Sequence, residues 1–253
     1  MPWVETESLS FAARHEAEDG EAATAILDEL EDFRGELGDR FEHVPGQVTV
    51  IIHSHPVLLG FAHPWLAIAW AASAPAGRRY FAGWYSSKEI HVLSPAALER
   101  RASKVPGSAE ALELTPLHEY AHVVVGANNR TLPPPFAVRG LRRYLRFAWL
   151  TEGAATHFAG QTGHLRGAIA RRLREGDTPA FPPAARDAPL LGGTVFSLLA
   201  EEQDERACAA LATSSAVGSD AAAAGAVVER AFGRPAVTVA RDWRAYLGRF
   251  SSS

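Results

Sequence analysis

The sequence predicts an α+β fold, in which a small mixed β-sheet with one or two helices (residues 1–108) is followed by a helical lobe (residues 109–253). Three observations lead there. Short β-branched or alternating segments are confined to the N-terminal part, apolar residues recur at helical spacing from about residue 109, and no strand signal returns after that switch. With no internal repeat and no linker long enough to divide it, the 253-residue chain reads as a single domain in two lobes.

In chain order, residues 6–14 alternate as a first strand, and 21–37 carry Ala25, Ile26, Leu30, Phe33 and Leu37 at helical spacing. Residues 47–53, Gln-Val-Thr-Val-Ile-Ile-His, form a short β-branched run that fits a buried strand beside the first. Two further strands are expected at 79–85 and 89–93, with Gly83 and the Ser86-Ser87 pair marking the turn of a hairpin at the sheet edge. Helices are expected over 116–125, 137–159, 164–174, 193–212, 219–232 and 236–249, with Pro-rich loops at 132–135 and 178–189. Thr115 before Pro116 serves as the N-cap of the first of these, and Gly126 closes it.

Composition narrows the function. Apolar residues make up 47% and charged residues 21%, as in soluble globular chains, and a net charge of -4 without any basic run argues against nucleic-acid binding. Cys208 is the sole cysteine, so no intrachain disulfide can form and nothing demands an oxidising compartment. The N-terminus lacks the basic start and apolar core of a signal peptide, and the most apolar stretch, 57–77, is broken by Gly60, His63 and Pro64. A soluble cytoplasmic protein without membrane attachment is therefore expected.

The segment His118-Glu119-Tyr120-Ala121-His122 carries the chemistry. Residues four apart share one helical face, so His118 and His122 can both offer an imidazole nitrogen to one metal ion, with Glu119 about 100° round the helix as a base. Chance alone yields H-E-x-x-H in roughly 3 of 100 chains with this histidine content, so a third ligand is needed to make a site. Glu152 supplies it. It lies in Trp149-Leu150-Thr151-Glu152-Gly153-Ala154-Ala155, an apolar and small run where an unpaired carboxylate would be costly to bury. The small residues 153–155 would let this helix approach the His-bearing one.

These residues resemble the gluzincins, the peptidase MA-like metallopeptidases related to thermolysin. The likeness rests on His118, Glu119 and His122, on the Trp-x-x-Glu-Gly run at 149–153, and on their order, with a weaker echo in Asp242-Trp243-Arg244-Ala245-Tyr246-Leu247. The resemblance implies a zincin-like fold, a catalytic Zn2+ held by His118, His122 and Glu152, and Glu119 as general base in peptide-bond hydrolysis. It further implies that a peptide substrate lies along the edge strand in the 83–93 region. Endopeptidase action fits better than aminopeptidase action, since Glu89 alone precedes the His-bearing helix in that region. A zinc hydrolase of another acyl bond and a zinc-stabilised binding domain are the rival readings. Retention of Glu119 counts against the latter. The Arg-rich segment 139–146 departs from the proline turn that such relatives carry before the tryptophan, and the oxyanion donor falls among Tyr144, His157 and Tyr246 without a choice.

Other residues read as structural. His53 and His55 share one strand face but have no acidic or Cys partner nearby in sequence; His91 and His157 read as packed or exposed histidines, and Cys208 as a buried small residue. Asn129-Arg130-Thr131 matches a glycosylation sequon that has no consequence without secretion.

Overall fold

Residues 3–62, 82–129, 131–132, 141–175, 177–215 and 221–251 are described by a computed structural model of the chain. Two strands stand where the sequence suggests one. β1 (Trp3–Glu7) and β2 (Phe11–Glu16) form an antiparallel hairpin, and the expected 6–14 strand straddles its turn. The reversal is fixed from outside the segment. Ser8 Oγ and the Ser10 N–H both donate to the Glu31 carboxylate, at 2.7 and 2.5 Å, while Leu9 stands in solvent. A partner 21 residues away in sequence leaves no trace in local alternation.

From β2 the chain crosses over through α1 (Gly20–Gly38) to the parallel β3 (Val48–His53), as a parallel pair requires. β5 (Glu89–Leu93) runs parallel to β3, and β4 (Gly83–Tyr85) closes the sheet antiparallel to β5. The order β1-β2-β3-β5-β4 makes this a mixed five-stranded sheet with β4 at the edge. Residues 79–81 of the expected fourth strand lie outside the described residues. Three helices unforeseen in the sequence, α2 (Pro56–Ala62), α3 (Pro95–Arg101) and α4 (Ser108–Glu113), are six or seven residues long, too short for a 3.6-residue period to declare itself.

The remainder is helical: α5 (Thr115–Asn128), α6 (Leu141–Phe158), α7 (Gln161–His164), α8 (Arg166–Glu175), α9 (Ala188–Glu202), α10 (Glu205–Ala212), α11 (Ala221–Phe232) and α12 (Ala236–Ser251). Several boundaries differ from expectation. In α5, Thr115 already lies within the first turn and its hydroxyl donates to Leu112 O at 2.6 Å instead of capping, and the helix runs through Gly126 to Asn128. The expected 164–174 helix stands as α8, with its first residue, His164, ending the separate short α7. The 193–212 helix divides: Gln203 leaves helical space at φ -131°, ψ -102°, and Asp204 caps α10 by accepting from the Ala207 N–H at 2.8 Å. Residues 137–140 and 219–220 of two expected helices lie outside the described residues.

A large apolar core joins sheet and helices, and a smaller one gathers Trp84, Leu93, Leu98 and Leu112 beside it. Val48, Val50, Ile52, Ile90 and Val92 share the large core with Ile26, Leu30 and Phe33 of α1, with Tyr120 of α5 and with Trp149 and Trp243 of the helical lobe. Tyr120 anchors α5 here: its ring meets Phe11 edge-on at 5.0 Å and its hydroxyl donates to Pro45 O. The His-bearing helix is thus held against the sheet and buried on most of its surface. Gly153, read from sequence as smoothing the approach of α6 to α5, instead meets α9. A Cβ at Gly153 would lie 2.6 Å from the Gly192 carbonyl carbon, and one at Gly192 would lie 2.8 Å from Gly153 Cα, so the two helices touch backbone to backbone.

Candidate metal centre

α5 turns His118 and His122 to one side, one helical turn apart, and α6 brings Glu152 across from them. The two Nε2 atoms are 3.1 Å apart, Glu152 Oε2 is 3.7 Å from His118 Nε2, and Glu152 Oε1 is 3.7 Å from His122 Nε2. Zinc bonds of about 2.0–2.2 Å in tetrahedral array separate ligand atoms by about 3.3–3.6 Å. Two imidazoles and one carboxylate at these spacings therefore fit zinc with a fourth position to spare.

Each ligand is held from behind. His118 Nδ1 donates to Gln161 Oε1 at 2.8 Å, and the Gln161 amide is itself anchored by donating from Nε2 to Ala111 O at 2.7 Å. This leaves the His118 Nε2 lone pair facing the other ligands. Tyr85 of the edge strand stacks on His122 with ring centroids 4.3 Å apart and planes 9° apart. Tyr144 OH donates to Glu152 Oε1 at 2.8 Å. Eight residues rise about 12 Å along a straight helix, and α6 is not straight: Phe147 breaks it at φ -106°, ψ 16°, between Tyr144 and Glu152.

Glu119 is 7% exposed and lies beside the triad, pressed against the edge strand. A Cβ at residue 83 would fall 2.7 Å from Glu119 Cδ and nearer still to its Oε1, so any side chain here would force the Glu119 carboxylate to move. Burial pushes the Glu119 carboxyl up to about 8, with Glu152 adding to the rise and His118 opposing it. Glu152 goes the other way: burial opposes its charge, but His122 and His118 outweigh that and hold it well below the usual carboxylate range. Burial also lowers His122, whereas at His118 the neighbouring Glu152 and Glu119 overcome burial and raise it. Two carboxyls with opposed proton affinities thus sit side by side, one suited to hold a cation and one to carry a proton.

Of the three oxyanion candidates, the structure brings Tyr144 to the triad. His157 instead pairs with Glu205, and Tyr246 lies in α12 against Phe250. Gln161 and Tyr85 are site residues that the sequence did not single out, and Gly83, read there as a turn marker, instead opens β4 beside Glu119. His53 and His55 do not share a strand face as expected, because β3 ends at His53; His53 instead meets His91, Nε2 to Nδ1 at 3.0 Å, with the rings stacked. Asn129 of the sequon is buried, and its amide donates to Ala212 O and Ser214 O. Among the described residues no helix is long and apolar enough to cross a membrane. No protein-family model matches this chain, and comparisons with curated proteins and with solved structures returned no significant match.

Proposed function

We propose that this chain is a zinc-dependent metallohydrolase with a zincin-like catalytic domain, and that it cleaves peptide bonds within chains. The observation that carries the reading is the buried Glu119 carboxylate beside a three-ligand cluster, since a closed structural site has no use for a base next to an open position. His118, His122 and Glu152 would hold the ion. Bound there, zinc supplies Lewis acidity, activating a water molecule and polarising the scissile carbonyl.

The chain's own groups do the rest. Glu119, buried beside the ligands, accepts a proton from the attacking water at its Oε and returns it to the leaving amine, a role the positive charge of the ion would favour by stabilising the carboxylate. Tyr144, kept protonated by burial and by Glu152, holds its single hydroxyl hydrogen on Glu152 Oε1 in this structure and would turn it from there toward the developing oxyanion. Gln161 keeps His118 in the tautomer that offers Nε2 inward. A peptide substrate would lie along β4, the last strand of the sheet, whose Gly83 passes against Glu119.

Metal content and cleavage of a peptide library, compared between the wild type and Glu119→Gln, test this reading. Stoichiometric zinc in both proteins, with turnover lost by about 100-fold or more in the variant, is the expected result. A wild type without zinc, or a fully active variant, refutes it.

A further inference from the structure

A second convergence of metal-ligating groups lies on the other end of α6. We propose that His157, Glu205 and Cys208 form a sulfur-containing site for a thiophilic divalent cation such as zinc, separate from the His118, His122 and Glu152 cluster. Glu205 and Cys208 are three residues apart on α10 and so share a face, and α6 presents His157 to that face. One ligand atom from each lies within 4.8 Å of the other two, the same compass that encloses the first triad. His157 Nε2 is 3.2 and 3.1 Å from the two Glu205 oxygens, close to the edge of a coordination tetrahedron.

The three groups differ in how they are prepared. The His157 ring is fixed between aromatic neighbours, lying roughly parallel to Phe196 at 5.8 Å and edge-on to Phe158 at 5.3 Å. The Glu205 side chain is 46% exposed, which gives an ion a route in from solvent. Cys208 is fully buried, its Sγ reaching Phe196 O at 3.3 Å. Burial, with Glu205 and Asp204 close by, pushes that thiol up to about 12, which removes it as a nucleophile or redox centre at neutral pH. A cation bound beside it is what would ionise it, releasing one proton as the metal–sulfur bond forms. Sulfur in the set selects soft or borderline ions over magnesium and calcium. The charge of Arg40 acts to lower both the Glu205 carboxyl and the Cys208 thiol, favouring the ionised forms that a cation needs. Filled, the site would cross-link α10 to the helix that carries Glu152.

Cobalt titration of the metal-stripped full chain tests the proposal, because only a thiolate ligand gives the near-ultraviolet sulfur-to-cobalt charge-transfer band and the first triad contains no sulfur. The wild type should bind two Co2+, with the band growing alongside one of them. Cys208→Ser should bind one and show no band; Glu205→Gln and His157→Gln should each weaken the band-forming step about tenfold or more. His118→Ala should lose the other cobalt and keep the band, so failure of the catalytic reading and failure of this one are distinguishable. A wild type that saturates with cobalt without the band, or a band that survives Cys208→Ser, overturns the proposal.

Discussion

Tyr144 and Gln161 show how much of the site depends on single side chains outside the ligand set. Tyr144 donates to Glu152, and Gln161 accepts from His118. Removing the hydroxyl with Tyr144→Phe should lower kcat about 10- to 1000-fold while zinc content and KM change little, as expected for a donor whose worth is realised in the transition state. A variant that instead loses its zinc would recast Tyr144 as a support for the ligand. Gln161→Ala should weaken zinc binding about 10- to 100-fold, measured by competition with a chromophoric chelator; an unchanged affinity would remove Gln161 from the site. The ligands themselves were legible because helical periodicity places His118 and His122 on one face and because a carboxylate at 152 needs a partner. Gln161 was not, and Tyr144 could be named only as one of three candidates, since their positions depend on a break at Phe147 in a segment with neither Pro nor Gly, and on a short helix after Gly160.

At the level of elements, α6 is the piece on which the site turns. It contributes Tyr144 and Glu152 on its inner side and rests against α9 through Gly153 and Gly192. Either glycine replaced by Ala forces the helices apart, and each change should cost about 1–3 kcal/mol, seen as a melting temperature lower by about 3–10 °C. Equal stability in both variants would show that the contact relaxes freely. The pattern of elements was largely readable: the β-branched third strand, the edge hairpin and the switch to helices all stand in the described residues. What was lost lies in the joints. The β1–β2 turn is fixed by Glu31 from α1, and the α9–α10 break at Gln203-Asp204 interrupts an apolar pattern that continues on both sides.

For the whole molecule, burial of Glu119 ties stability to pH. Its carboxyl rises from 4.5 to about 8 in the folded chain, so across that window the folded, metal-stripped protein keeps a proton that the unfolded chain releases. Stability should therefore fall as pH climbs from about 5 to 8. Glu119→Gln removes the slope: in the presence of chelator it should melt at least about 4 °C above wild type at pH 8.5 and alongside it at pH 5. Parallel melting curves at both pH values would contradict the burial. Glu152 acts with the opposite sign, since its lowered carboxyl adds stability above the usual carboxylate range that is lost on acidification. The edge strand adds a criterion of another kind. Because a methyl group at residue 83 would intrude on the Glu119 carboxylate, position 83 can sort related sequences: chains that keep both histidines and both glutamates but carry a side chain there should be zinc-binding pseudoenzymes.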